Sequence, residues 1–136
     1  LHDIGKQGLD PEVVRKKEGL SKSEWDQVRR HPEEGFQMLE KRDSLGEVAL
    51  DIVLHHHERM DGGGYPHAIG GKELSPYVRM VTIADVFDAL TTDRYHQGAR
   101  PSFDALTIMH QEMRPELDME LLRLFVEMMG GTRPRL

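Results

Sequence analysis

Apolar residues recur at helical spacing along most of the chain, and strict alternation is rare. In residues 44–59, for example, Leu45, Val48, Ala49, Ile52 and Val53 fall on one helical face. The other segments with this periodicity are residues 10–17, 21–30, 32–42, 75–94, 102–113 and 117–129. The pattern predicts one all-helical domain over residues 1–136.

Local capping signals mark where several of these helices begin. Asp10 precedes a proline at the start of the first helix, and Ser21 is followed three residues later by Glu24, which is a capping-box pattern. Ser75 also precedes a proline and is expected to cap a long helix. A boundary or kink is predicted near His31, because the residue before a proline disfavours helix.

The helical pattern stops between Met60 and Ser75, in a segment that contains five glycines. A loop of about 15 residues in a small domain is usually functional or disordered. Glycines let backbone N–H groups approach an anion closely. A flexible glycine linker is the alternative interpretation of the same residues.

Composition narrows the function classes. The chain has no cysteine, which excludes disulfides and thiolate metal ligands. Its formal charge of −6 does not favour a nucleic acid polymer or an anionic membrane as partner. No apolar run approaches the ~20 residues that span a bilayer. We expect a cytoplasmic protein or the cytoplasmic part of a larger one, and the abrupt start at Leu1 predicts further residues upstream.

Two acidic residues stand out in the apolar helix of residues 81–90. Asp85 and Asp88 lie three positions apart and therefore on one side of it. Because apolar residues cover nearly every other face, the helix is expected to be buried on most sides, where a carboxylate needs a cation or hydrogen-bond donors. Two interpretations are open. Either the two acids face a metal site, with Asp85 the more central, or they are simply capped or salt-bridged.

Histidines supply further candidate ligands. His56 and His57 are adjacent on a helix, about 100° apart, which suits two ions about 3.5–4 Å from one another. His2 stands beside Asp3, and His31 lies at a helix junction, although each of these alone is more often a surface or core residue. The other histidines are not expected to be ligands: His55, His67, His96 and His110.

Imidazole and carboxylate ligands without thiolate suit iron, manganese, zinc, nickel or cobalt. Such ions can clamp phosphate oxygens. Lys6, Arg94 and Tyr65 are candidate contacts for a phosphate-containing ligand. The zinc-protease pattern fails, because the second histidine of HExxH is replaced by Asp61. An EF-hand fails as well, because its alternating acidic ligands are missing.

Together, four segments resemble the HD-GYP domain, a subgroup of the HD-domain metal-dependent phosphohydrolases. They are HDIGK (2–6), HPEEG (31–35), HHERMDGGGYP (56–66) and IADVFDALTTDR (83–94). The resemblance spans roughly residues 1–125, and the third string is the most specific. The resemblance implies an HD-domain helical bundle with a GYP loop and a centre of divalent iron or manganese ions. It also implies hydrolysis of cyclic di-GMP to pGpG and often to GMP.

The resemblance also implies roles for individual residues. Asp3 would bridge two metal ions, and Lys6 and Asp88 would join it in catalysis, with Asp88 orienting Lys6 or the attacking water. The implied substrate contacts are Lys6, Gly64, Tyr65 and Arg94. The implied metal ligands are His2, Asp3, His31, His56, His57 and Asp85.

The chain departs from the family pattern at two places. A third metal would need a Glu and a His from a helix upstream of Leu1, and without the upstream helices apolar faces would be exposed and could pair in a homodimer. The segment Tyr95–Gln97 replaces the family's Pro-Tyr-Arg, which removes one cation.

Two alternative functions therefore stay open. One is a weakly active or inactive signalling module that binds nucleotide or diguanylate cyclase domains, and the other is a phosphohydrolase for another nucleotide. The resemblance also implies a sensor or receiver domain upstream.

Overall fold

The computed structural model describes residues 1–16, 19–42, 45–92 and 98–130. Within these ranges all regular structure is helical, which confirms the all-α prediction. Two short 3₁₀ turns cover Ile4–Gly8 and Gly71–Glu73. The α-helices, labelled α1 to α7 in chain order, are Pro11–Arg15, Lys22–Val28, His31–Leu39, Glu47–His55, Pro76–Thr91, Ser102–Gln111 and Met119–Met129.

The predicted capping residues begin their helices. The Asp10 side chain accepts a hydrogen bond from the Glu12 backbone N–H, and Ser21 with Glu24 forms a complete capping box. The Ser75 hydroxyl accepts from the Val78 N–H at the start of α5. The break expected near His31 is also present, because α2 ends at Val28 and α3 begins at His31.

The N-terminal 3₁₀ turn lies directly on α3, and α3 packs on α4. Gly5 makes this close approach possible. A Cβ atom there would lie 1.9 Å from the His31 carbonyl oxygen and 2.7 Å from the Gly35 nitrogen. The segment that carries His2 and Asp3 is thereby held against the helix that carries His31.

The largest apolar cluster lies between α5, α6 and α7, around Ile83, Val86, Met109, Leu117 and Leu122. It anchors the helix that carries Asp85. No helix in the described ranges is long and apolar enough to cross a membrane.

Helix α5 is less enclosed than its sequence suggests. Val78, Thr82, Ile83 and Val86 are buried, but Met80 is 49% exposed. Met80 belongs to an apolar groove of about 340 Å³ between α5 and α7. The predicted homodimer remains a prediction.

Candidate metal centre

Four separate segments bring the predicted metal ligands together. His2 and Asp3 precede the first 3₁₀ turn, and His31 is the first residue of α3. His56 caps the C-terminal end of α4, and His57 follows it. Asp85 comes from the middle of α5.

Four of these residues form one compact set. Each of Asp3, His31, His56 and His57 offers a ligand atom, and the four atoms all lie within 4.8 Å of one another. The Asp3 Oδ1 atom is 3.2 Å from His31 Nε2 and 3.6 Å from His56 Nε2. The two Nε2 atoms are 3.2 Å apart.

Backbone carbonyls determine how the two buried imidazoles are oriented. His31 Nδ1 lies 2.6 Å from the Val28 carbonyl oxygen, and His56 Nδ1 lies 2.9 Å from the Val53 carbonyl oxygen. Each Nδ1–H therefore donates to its carbonyl, which leaves the two Nε2 atoms facing each other and Asp3 as candidate ligand atoms. Asp3 Oδ1 is buried and has no hydrogen-bond partner within the described part of the chain. Imidazole nitrogens and a carboxylate that converge in this way fit a divalent cation.

The ionisation states also suit a metal site. Burial, with neighbouring His56 and His31, lowers the pKa of His57 to about 2, so its imidazole is neutral at pH 7. Burial by itself raises the pKa of Asp3, but contacts with His31, His56 and Lys6 outweigh it and hold the pKa well below its usual range. Neutral imidazole and ionised carboxylate are the forms that bind metals.

His2 and Asp85 extend the set on the other side of Asp3. His2 Nε2 lies 3.6 Å from Asp3 Oδ2 and 3.7 Å from Asp85 Oδ1. The two oxygens of Asp3 thus face different groups, with His31 and His56 near Oδ1 and His2 near Oδ2. All six ligands implied by the resemblance lie in one continuous cluster.

The predicted catalytic and phosphate-binding residues differ in where they lie relative to the cluster. Lys6 Nζ donates to Asp3 Oδ2 at 2.8 Å, at the edge of the cluster. Asp88 is exposed and accepts a hydrogen bond from the Thr92 hydroxyl at 3.0 Å, so its role stays a prediction. Arg94 lies outside the described residues, as does the segment Tyr95–Gln97.

The glycine-rich loop folds back on the end of α4. The Tyr65 N–H donates to the His57 carbonyl at 3.3 Å, and the Tyr65 ring stacks on His57 with ring centres 4.7 Å apart. Gly64 is required at this approach, because a Cβ atom there would lie 2.4 Å from the Glu58 Cα. These contacts argue against a flexible linker. Burial raises the pKa of Tyr65 to about 12, so its hydroxyl remains a hydrogen-bond donor.

Sequence reasoning missed residues that hold this arrangement. The buried Glu58 accepts the His67 N–H through Oε1 at 2.6 Å and secures the loop. The Thr82 hydroxyl donates to the His56 carbonyl at 3.1 Å and ties α5 to the end of α4. Arg29 lies over the Tyr65 ring, 5.6 Å from its centre. Only Thr82 left a signal, as a polar residue on an apolar helix one turn before Asp85.

The remaining histidines lie apart from the cluster. His55 Nδ1 is 2.8 Å from Asp51 Oδ1, and His55 Nε2 is 3.1 Å from His67 Nδ1. His110 is exposed, and His96 lies outside the described residues. His67 is 45% exposed and pairs with His55 at the surface.

Over the described residues the fold is all-helical, and the cluster is a candidate metal site of histidines and carboxylates. The HD domain family matches residues 1–121. The chain belongs to this family, and its motifs and relatives assign it to the HD-GYP group.

Curated relatives share about a third of the residues. A cyclic di-GMP phosphodiesterase of Pseudomonas aeruginosa is 36% identical over 130 residues, which is 96% of this chain and 31% of that protein. A 3′3′-cGAMP-specific phosphodiesterase of Vibrio cholerae is 38% identical over 120 residues, which is 88% of this chain and 26% of that protein. The chain thus spans about a third or less of the length of these relatives.

A solved structure supports the fold. An HDG"Y"P protein from Bdellovibrio bacteriovorus superimposes with a TM-score of 0.76 at 20% identity, over 96% of this chain and 41% of that one.

Proposed function

We propose that residues 1–136 form an HD-GYP domain that hydrolyses cyclic di-GMP to pGpG, and onward to GMP, with the help of divalent metal ions. The observation that carries the proposal is the convergence of His31 Nε2 and His56 Nε2 on the buried Asp3 Oδ1. The relatives named as cyclic di-GMP phosphodiesterases support the substrate.

The ligands are divided by the two oxygens of Asp3, which supports a binuclear centre with Asp3 as the bridge. The residues that would hold the two ions are His2, Asp3, His31, His56, His57 and Asp85. We propose iron or manganese. When bound, such ions supply Lewis-acid stabilisation of phosphoryl charge and make water more acidic.

The chain's own residues would position the phosphodiester. Lys6 lies next to Asp3 and would offset negative charge on the phosphoryl oxygens. The protonated Tyr65 hydroxyl would donate a hydrogen bond to the substrate. Gly64 would allow the loop backbone to approach the ligand. Asp88 and Arg94 retain the roles implied by the family, orienting Lys6 or water and binding phosphate.

The test is turnover of cyclic di-GMP by the protein loaded anaerobically with iron or manganese, with pGpG and GMP separated by chromatography. We expect turnover that is lost on His56→Ala/His57→Ala substitution. Intact cyclic di-GMP after loading would contradict the proposal. Tight nucleotide binding without cleavage would instead indicate a signalling module that binds nucleotide or diguanylate cyclase domains.

The relative named as specific for 3′3′-cGAMP favours a second candidate substrate. Parallel assays with 3′3′-cGAMP and with non-cyclic nucleotides distinguish the two and test a phosphohydrolase for another nucleotide. The cytoplasmic location and an upstream sensor or receiver domain complete the proposal.

A further inference from the structure

A cavity other than the groove between α5 and α7 opens beside the cluster of candidate metal ligands. It has a volume of about 460 Å³ and lies between α2, the glycine-rich loop and the end of α4. His57 and Tyr65 form the wall that it shares with the cluster. The rest of the lining includes Trp25, Arg29, Arg59, Asp61 and Glu116. Its volume is in the range of small-molecule sites.

We propose that this cavity binds a guanine base of the substrate. The inference rests on the proposed function and adds to it the part of the site that selects the base. His57 borders both the candidate metal site and this cavity. A nucleotide whose phosphate lies at the candidate metal site can therefore place its base in the cavity.

Trp25 provides a surface for stacking. It is 48% exposed, so its indole ring is available to a ligand at the cavity wall. Bases stack on aromatic side chains and on the planes of arginine guanidinium groups. Arg29, which lies over the Tyr65 ring, lines the same cavity and is placed to contact the edge of a base stacked on Trp25.

The charged groups match guanine better than adenine. Guanine donates from N1–H and from its 2-amino group, and a carboxylate such as Asp61 accepts both. Guanine O6 and N7 are acceptors, and arginine is their usual bidentate partner. Arg29 is exposed and can take this role, whereas Arg59 is directed towards the Glu58 carbonyl and Glu116. Adenine N1 carries a lone pair that would face the carboxylate.

The chain contains a single tryptophan, so Trp25 fluorescence reports on the cavity directly. We would titrate the purified holoprotein with GMP, AMP and ribose 5-phosphate, and correct for absorption with a free tryptophan derivative. We expect saturable quenching by GMP, binding of AMP that is about tenfold weaker, and no change with ribose 5-phosphate. Absence of saturable quenching by GMP would overturn the inference, as would equal affinities for GMP and AMP.

Variants test the assigned roles by calorimetric titration with GMP. Trp25→Ala should weaken GMP binding by about tenfold, and Trp25→Phe should restore most of it. Asp61→Asn can still accept the Gly63 N–H that Asp61 Oδ1 now accepts at 2.9 Å, yet it should lose the preference for GMP. Phe103→Ala is the matched control, since Phe103 is an exposed aromatic residue on α6, at 78% exposure. Unchanged binding by Trp25→Ala, or a loss as large in Phe103→Ala, would contradict the proposal.

This experiment separates two failures. GMP binding without hydrolysis of cyclic di-GMP would overturn the proposed function and support the base site. Hydrolysis with no Trp25 response to GMP would overturn the base site and leave the proposed function intact.

Discussion

Two pairs of histidines lie near the end of α4, and they satisfy their ring nitrogens in different ways. In the outer pair, Asp51 accepts from His55 Nδ1, and His55 Nε2 is then free to accept the Nδ1–H of His67 at 3.1 Å. In the inner pair, His31 and His56, both Nδ1–H groups donate to backbone carbonyls, and the two Nε2 atoms face each other at 3.2 Å beside the Asp3 carboxylate.

The contrast shows that proximity of imidazoles is insufficient for a metal site. The outer pair forms a complete hydrogen bond, whereas the two Nε2 atoms of the inner pair face the buried oxygen of Asp3. A cation would bind the Nε2 atoms and the Asp3 oxygen that converge at the inner pair. The outer pair has its hydrogen bonds already and does not need a cation. The following predictions test that difference.

The largest expected effect is on metal content. His56→Ala/His57→Ala removes one member of the inner pair and the adjacent candidate ligand His57. It should reduce the bound iron or manganese from about two ions per chain to fewer than one, because a centre of the two-metal type would lose two ligands. His55→Ala/His67→Ala, the matched substitution of neighbouring histidines, should retain the metal. Elemental analysis of protein purified without chelator measures both. Equal loss in the two variants would remove the distinction between the pairs.

The next effect concerns the packing that brings Asp3 to the inner pair. Gly5→Ala would place a Cβ atom against the His31 backbone, so the free energy of unfolding should fall by about 3 kcal/mol. Gly46→Ala is the control, because a Cβ atom at Gly46 has no neighbour within 4 Å among the described residues. Urea denaturation gives both values. A similar, small change in both variants would show that the turn can move away from α3.

Sequence patterns predicted the helices and their caps well, because capping depends on neighbours in the chain. The predicted placement of His56 and His57 on one helix was wrong, because α4 ends at His55, and the two residues reach the cluster from the C-cap and the turn that follows. The pairing of His55 with His67 was not predictable, because it depends on the path of the loop, which Gly64 and Glu58 determine through contacts with α4. The cavity beside Trp25 was hidden for the same reason, since its walls come from segments far apart in the sequence.

A smaller effect should appear when the pH falls. Burial lowers the pKa of His57 to about 2, whereas in the unfolded chain it is near 6.5. Below pH 6.5 the unfolded state therefore binds more protons, and the free energy of unfolding should decrease, by about 2 kcal/mol at pH 5 for one histidine that stays neutral. The lowered pKa of His2 acts in the same direction over this range, whereas the lowered pKa of Asp3 matters only as the pH approaches and falls below its ordinary value of 3.8.

Urea denaturation with a chelator present, at about pH 7.5 and about pH 5, measures this dependence. His57→Gln should reduce it, since glutamine does not titrate. Stability that rises as the pH falls would contradict a His57 imidazole that stays neutral in the folded protein.

The smallest effect is expected in the outer network. The Ser75 hydroxyl accepts from the Val78 N–H at 3.3 Å and donates to Asp51 Oδ2 at 2.6 Å, so it both caps α5 and supports the carboxylate that holds His55. Ser75→Ala should lower the free energy of unfolding by about 1 kcal/mol, the usual cost of losing an N-cap.

The metal content of Ser75→Ala should not change, because the contacts of Ser75, Asp51 and His55 include no ring nitrogen or carboxylate oxygen of the inner cluster among the described residues. Ser102→Ala is the control for serine at a helix start, since Ser102 is exposed on α6 and the cap there is Pro101. Urea denaturation and elemental analysis of the same samples decide the outcome. Loss of metal from Ser75→Ala would mean that the outer network orients the inner ligands, and the two histidine pairs would then function as one site.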